Sequence, residues 1–119
     1  MTTVTNKTQL TIRTEQDEKA VILCLAGRVD GTNANVLDEA VRDKIDAGQP
    51  ALLFDFEELE YISSAGLRVL LLAARRMQAA KGKTLFCGLS EQIAEVFRVS
   101  GFDHILPVFG TRSEALATV

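Results

Sequence analysis

Histidine and cysteine are scarce in this chain. Its 119 residues include one histidine, His104, and two cysteines, Cys24 and Cys87. The cysteines form no CxxC pair and have no histidine beside them in sequence, so a zinc site, and a metal or cofactor generally, is not expected. Both lie in apolar, strand-like runs and read as reduced, buried small hydrophobes. No apolar run approaches the ~20 residues of a membrane helix. Met1 to Gln9 is rich in threonine and has no apolar signal core. Membrane insertion is therefore not expected, and the cytoplasm is the expected location. Positive charge is not in surplus either: 13 Lys and Arg against 16 Asp and Glu give a formal net charge of -3. Nothing in that balance attracts nucleic acid or an anionic membrane as the main partner.

What is present is apolar content, 47% of residues, enough for the core of one ordinary domain spanning 1–119. Residues 1–8 read as a flexible amino terminus. Thr8 to Glu15 alternates like a half-exposed strand, and Ala20 to Ala26 is a continuous apolar run like a covered central strand. A hairpin is expected to join them. "GRVDGTNAN", from Gly27 to Asn35, reads as a polar loop. Val36, Leu37, Ala40, Val41 and Ile45 then recur at helical spacing, with Thr32 or Asn33 as cap and Gly48 with Pro50 as stop. "ALLFDF" from Ala51 is a second central strand, and Glu57, Glu58 and Glu60 after it read as a solvated loop. Leu67, Leu70, Leu71, Ala74 and Met77 mark a helix that Gly82 follows, with Arg75 and Arg76 on its wet side. "KTLFCGL" is a further strand, and Ser90 opens a helix that buries Ile93, Val96 and Phe97. Ile105 to Phe109 is a short strand, placed at an edge by Pro107. Thr111 and Glu114 have capping-box spacing for a closing helix. Helices alternating with apolar strands imply parallel crossovers and an α/β fold.

Between the "ALLFDF" strand and its helix stands "YISSAGLRVLL". One capping serine is enough to start a helix; two serines followed by alanine and glycine need a further reason. A serine hydrolase needs a base at the hydroxyl and, for the esterase elbow, a glycine on both sides of the nucleophile. Around Ser64 the flanking positions are Ile62 and Gly66, so one side alone fits, and His104 is the sole candidate imidazole. A phosphate-binding loop needs several glycines and a lysine; this corner has one glycine and no lysine. A phosphorylated hydroxyl fits better. A helix start tolerates the added charge, through its free N–H groups and the positive end of its dipole. The same charge disrupts a partner lying flat on the corner, and Asp30 in the preceding strand-to-helix loop adds to the repulsion.

The stretch "LLFDFEELEYISSAGLRVLLLAARRM" resembles the core of the STAS domain of bacterial anti-sigma factor antagonists. "VILCLAGRVDGTNANVLDEAV" resembles that family's second strand, Gly-x-x-Asp loop and first helix, and "GKTLFCGLSEQIAEVFRVSGFDHILPVF" its later strand and helix. The resemblance runs from about Leu10 onward. It implies a single STAS-like α/β domain, with a mixed, mostly parallel sheet and four helices packed mainly on one side.

It also implies a non-enzymatic protein that binds an anti-sigma factor, itself a serine kinase, and so frees a sigma factor. Phosphorylation by that kinase ends the binding, and a serine phosphatase resets it. On this sequence the implied acceptor is Ser64, with Ser63 as the fallback. The implied partner-binding residues are Asp30, Gly31, Thr32, Ser63, Ala65, Gly66, Leu67 and Arg68. Two positions depart from the common pattern: Ser63 stands where many members have aspartate, and Arg68 where many have a small residue. The alternative within the same fold is a constitutive subunit of a transport or other signalling complex, without phosphorylation.

Overall fold

A computed structural model describes residues 2–5 and 9–119 of the chain. The elements in order are β1 (Thr2–Thr5), β2 (Leu10–Gln16), β3 (Val21–Val29), α1 (Ala34–Asp46), β4 (Ala51–Ile62), α2 (Ser64–Ala79), β5 (Lys83–Cys87), α3 (Glu91–Ser100), a 3-10 turn (Phe102–His104), β6 (Val108–Phe109) and α4 (Arg112–Leu116). The six strands form one sheet in sequence order. The pairs β1–β2 and β2–β3 are antiparallel, and β3–β4, β4–β5 and β5–β6 are parallel. The expected hairpin is therefore β2–β3, and the crossovers are the expected helices. Of the segment 1–8 expected to be flexible, residues 1 and 6–8 lie outside the described residues, while Thr2–Thr5 add an edge strand the sequence did not suggest.

The two-residue period of the strands sorts side chains between the sheet's faces. Val21, Leu23 and Leu25 of β3, Leu52, Phe54 and Phe56 of β4, and Phe86 of β5 face the layer of α1, α2 and α3, where they meet Leu37, Val41, Leu70, Ala73, Met77, Ile93 and Phe97. Phe54 stacks on Phe86 at 5.2 Å between ring centroids, and Phe97 meets Phe56 and Phe86 edge-on. Ile22, Cys24, Leu53, Leu85 and Cys87 face the other way, where α4 covers them with Ala115. Three helices thus lie on one face and one on the other, the mainly one-sided packing expected.

Two expectations about β4 and its neighbour are corrected. The strand runs to Ile62, so Glu57, Glu58 and Glu60 are exposed strand residues and not a loop, and Gly27–Val29 belong to β3. The reason is long-range. Past an irregularity at Cys24–Ala26 the two strands resume pairing, Ala26 with Glu58 and Gly27 with Leu59, and after a second shift Arg28 with Tyr61 and Val29 with Ile62. Buried Leu59 and Ile62 then anchor the segment to the core. Gly27 takes φ +94, and a Cβ there would lie 2.0 Å from the Gln9 carbonyl oxygen; only glycine permits that approach. The last strand is shorter than the expected 105–109: it spans Val108–Phe109, at the sheet edge as Pro107 required.

Candidate functional site

Strands β3 and β4 end side by side, Val29 against Ile62. β3 passes through the turn 30–33 into α1, and β4 through Ser63 into α2, so the turn 30–33 and the start of α2 leave the sheet together at the carboxyl edge, where α/β sheets bind ligands and partners. The Ser63 N–H donates to the Val29 carbonyl at 2.9 Å and ties the two turns together. Gly66 makes the join possible. It is buried, and a Cβ there would come within 2.6 Å of Ile62 Cγ1 and 2.7 Å of Val29 Cγ1.

The two serines divide the work. Ser63 is extended, at ψ 174, and its hydroxyl accepts from the Gly66 N–H at 3.3 Å, while its carbonyl accepts from the Leu67 N–H at 2.9 Å. It is the helix cap. Ser64 is the first residue of α2; it is exposed, and its hydroxyl makes no hydrogen bond to any described residue. Among the described residues no histidine or carboxylate accepts from that hydroxyl, the contact that would make it a nucleophile. The lone His104 sits in the 3-10 turn beside Asp103 and is 84% exposed.

The adjoining loop is braced internally. Asp30 Oδ1 accepts from the Thr32 N–H at 2.9 Å and the Thr32 hydroxyl at 2.6 Å. The Thr32 hydroxyl, and then its N–H, hold the Asp30 carboxyl below the usual carboxylate range. Asn33 occupies the cap position of α1 without capping it. Its side chain accepts from the Asp30 N–H and donates to the Arg28 carbonyl, both at 2.9 Å. Neither Thr32 nor Asn33 therefore caps α1 as expected, because both side chains satisfy the loop's own polar groups first. Gly31 is exposed, and a side chain there would enter open space.

Of the remaining expected contacts, Ala65 is half-buried and Leu67 is only 9% exposed, its side chain committed to the core. Arg68 is exposed and forms no ion pair with the described residues. Sequence reasoning missed the Arg28 guanidinium lying over the Tyr61 ring at 4.4 Å, immediately before the two turns. It also missed a charge cluster on the α4 face. There Arg112 donates to Asp55 at 2.9 Å and to Glu15 at 3.0 Å, and the Cys24 thiol donates to Glu15 at 3.3 Å. The one early signal was Asp55 inside the apolar "ALLFDF". Burial pushes the Cys24 thiol up to about 11 and that of Cys87 up to about 12, so both cysteines stay protonated. Among the described residues no group of His, Cys, Asp and Glu could hold a metal, and no helix is long and apolar enough to cross a membrane.

Beside this geometry stand the comparisons. The model of the STAS domain matches residues 11–115. The chain belongs to the STAS domain family. This STAS domain is 40% identical over 97 residues to BtrV of Bordetella bronchiseptica, provisionally named an anti-sigma factor antagonist, covering 82% of this chain and 84% of that protein. Its fold superposes on the crystal structure of an anti-sigma factor antagonist from Mycobacterium paratuberculosis with a TM-score of 0.87, at 21% identity and 98% coverage of both chains. It also matches the phosphorylated form of the Bacillus cell fate determinant SpoIIAA, with a TM-score of 0.70, 23% identity, and coverage of 90% of this chain and 97% of that one. These two structures establish the likeness of fold. The expected STAS-type architecture is the one observed.

Proposed function

We propose that this STAS domain is an anti-sigma factor antagonist switched by phosphorylation at Ser64. Unmodified, it docks the corner of Ser64, Arg68, Gly31 and Thr32 on an anti-sigma factor that is also a serine kinase, and so releases a sigma factor. The observation that carries the reading is the division between the serines: Ser63 spends its hydroxyl on the helix cap, and Ser64 presents an exposed, unbonded one. Support also comes from BtrV and from a SpoIIAA of the same fold that exists in a phosphorylated form. Transfer of the ATP γ-phosphoryl group to Ser64 Oγ breaks the bond from the γ-phosphorus to the bridging oxygen, releases ADP, sends the hydroxyl proton to a base of the kinase, and adds about two negative charges. Those charges meet N–H groups and a helix dipole on this protein, but a desolvated interface on the partner. A serine phosphatase restores the alcohol by hydrolysis, with water as the attacking group and inorganic phosphate released.

The test has two arms. Incubation with ATP and extract of the native cells should add one phosphate, and mapping should place it on Ser64. The Ser64→Ala variant should hold its partner through repeated cycles, while Ser64→Asp should bind about 100-fold more weakly, as like charge at an interface dictates. Equal partner binding by both variants means that the corner does not switch, and that the domain acts as a constitutive subunit.

A further inference from the structure

A phosphate on Ser64 acquires a charged neighbour within its own helix. Ser64 and Arg68 both belong to α2 and both are exposed. Four residues apart, their Cβ atoms are about 6 Å from one another on one face of the helix. Helical side chains lean toward the amino end, so the stem at position 68 lies over the turn that contains Ser64. The order is also the favourable one, with the anion amino-terminal to the cation. Arg68 has no competing partner among the described residues, and the first turn of α2 holds no acid. The other charges of the two turns are Asp30, which accepts from Thr32, and exposed Arg28, which lies over the Tyr61 ring and helps to lower the Asp30 carboxyl. Glu60, exposed on β4, is the nearest unpaired acid in sequence to the corner.

We infer that Arg68 is a phosphate clamp: once Ser64 is phosphorylated, the guanidinium closes on the phosphate oxygens and holds the modified side chain against α2. This inference rests on the reading that Ser64 is the acceptor. It adds a second action to the switch. Before modification Arg68 is a cation unpaired among the described residues on the docking surface; afterwards it is neutralised from within, so the partner loses an attractive contact as well as meeting a repulsive one. A planar, two-pronged donor suits a phosphate's oxygens better than the point charge of a lysine.

The experiment installs phosphoserine at position 64 during synthesis of the full chain, which removes any dependence on a kinase. The phosphorus resonance is titrated from pH 4 to 8 in the otherwise unchanged protein and in the Arg68→Ala and Arg68→Lys variants, after equal thermal melts show that all three fold. Loss of the arginine should raise the phosphate's second pKa, ordinarily about 6, by about 0.5 of a pH unit, with lysine in between. A non-specific phosphatase should also remove the phosphate about three-fold faster from Arg68→Ala, because the clamp no longer shields it. Coincident titration curves for the unchanged protein and Arg68→Ala overturn the clamp. Partner binding by the phosphorylated, otherwise unchanged protein is measured separately. Curves that differ while the partner still binds retain the clamp and remove the switch; coincident curves with binding lost do the reverse.

Discussion

Ser63 and Gly66 owe their identities to one helix start, for different physical reasons, and the two can be separated by measurement. Ser63→Ala removes the acceptor for the Gly66 N–H and should cost about 1 kcal/mol of unfolding free energy, the usual worth of a cap. Gly66→Ala gains helix propensity but drives a methyl into Ile62 and Val29, both buried. Overpacking costs about 1–3 kcal/mol, and two contacts under 3 Å put this one at about 2–3 kcal/mol, so a net loss of about 1–2 kcal/mol should remain after a propensity gain of about 1 kcal/mol. Urea unfolding of the two variants checks both values. A neutral Gly66→Ala would mean that β3 and β4 part easily at their ends, which would remove the steric account of the corner. The presence of a serine corner was legible in the sequence, because two hydroxyls and two tiny residues stand between an apolar run and an apolar stripe. Which serine caps was not. The two side chains are chemically identical, and the choice depends on placing the extended-to-helical boundary to a single residue, between Ser63 and Ser64.

Helix α4 has five residues, Arg112–Leu116, far fewer than a helix needs to persist alone. It is held to the sheet by buried Ala115 and by Arg112, which reaches Asp55 of β4 and Glu15 of β2. Asp55 is only 8% exposed, so removing the cation strands a largely buried carboxylate. Arg112→Met should lose about 2–3 kcal/mol at neutral pH, somewhat below the figure for a fully buried pair. The same contact has a pH signature. The hydrogen bond from Arg112, reinforced by Arg13 and Cys24, lowers the Glu15 carboxyl to about 2. A depressed carboxylate stabilises the fold above its unfolded pKa, about 4.3, and that contribution disappears as pH falls through the folded value. The stability gap between the unmodified protein and Arg112→Met should therefore be widest above about pH 5 and narrow between about pH 4 and pH 2. Urea melts across that range measure it, and a gap independent of pH would leave Glu15 outside the latch. Beyond an acid, Asp55, inside an apolar strand, nothing of this cluster was legible in the sequence, since Arg112 meets partners 57 and 97 residues away. The long β4 was hidden for a related reason. Glu57, Glu58 and Glu60 resemble a loop until β3 is found running beside them and Leu59 and Ile62 are found buried.

The molecule keeps its core and its proposed docking corner apart. The core lies between the sheet and the layer of α1, α2 and α3, and alternating or striped apolar residues made that arrangement readable. The corner is built from loop and helix-start residues at the carboxyl edge of β3 and β4, and of its members Gly66 and Leu67 belong to the packed interior while Gly31, Thr32, Ser64 and Arg68 face solvent. Folding and docking should consequently respond to different substitutions. Gly31 is the sharpest probe, because no atom outside its own chain neighbours lies within 4 Å of where its Cβ would be. Gly31→Trp should therefore change the unfolding free energy by no more than about 0.5 kcal/mol, as exposed substitutions generally do. The indole would nonetheless stand in the plane of a partner resting on Ser64 and Arg68, and should weaken that complex by about 30-fold or more, the scale of a steric block at an interface. Urea melts of the variant, beside titration calorimetry against the anti-sigma factor kinase proposed as its partner, measure the two effects in one preparation. Undiminished binding with an intact fold would move the docking surface off this edge of the sheet altogether. Loss of both together would show that the loop of Asp30 to Asn33, braced as it is by Thr32 and Asn33, is part of what holds the ends of β3 and β4 in register.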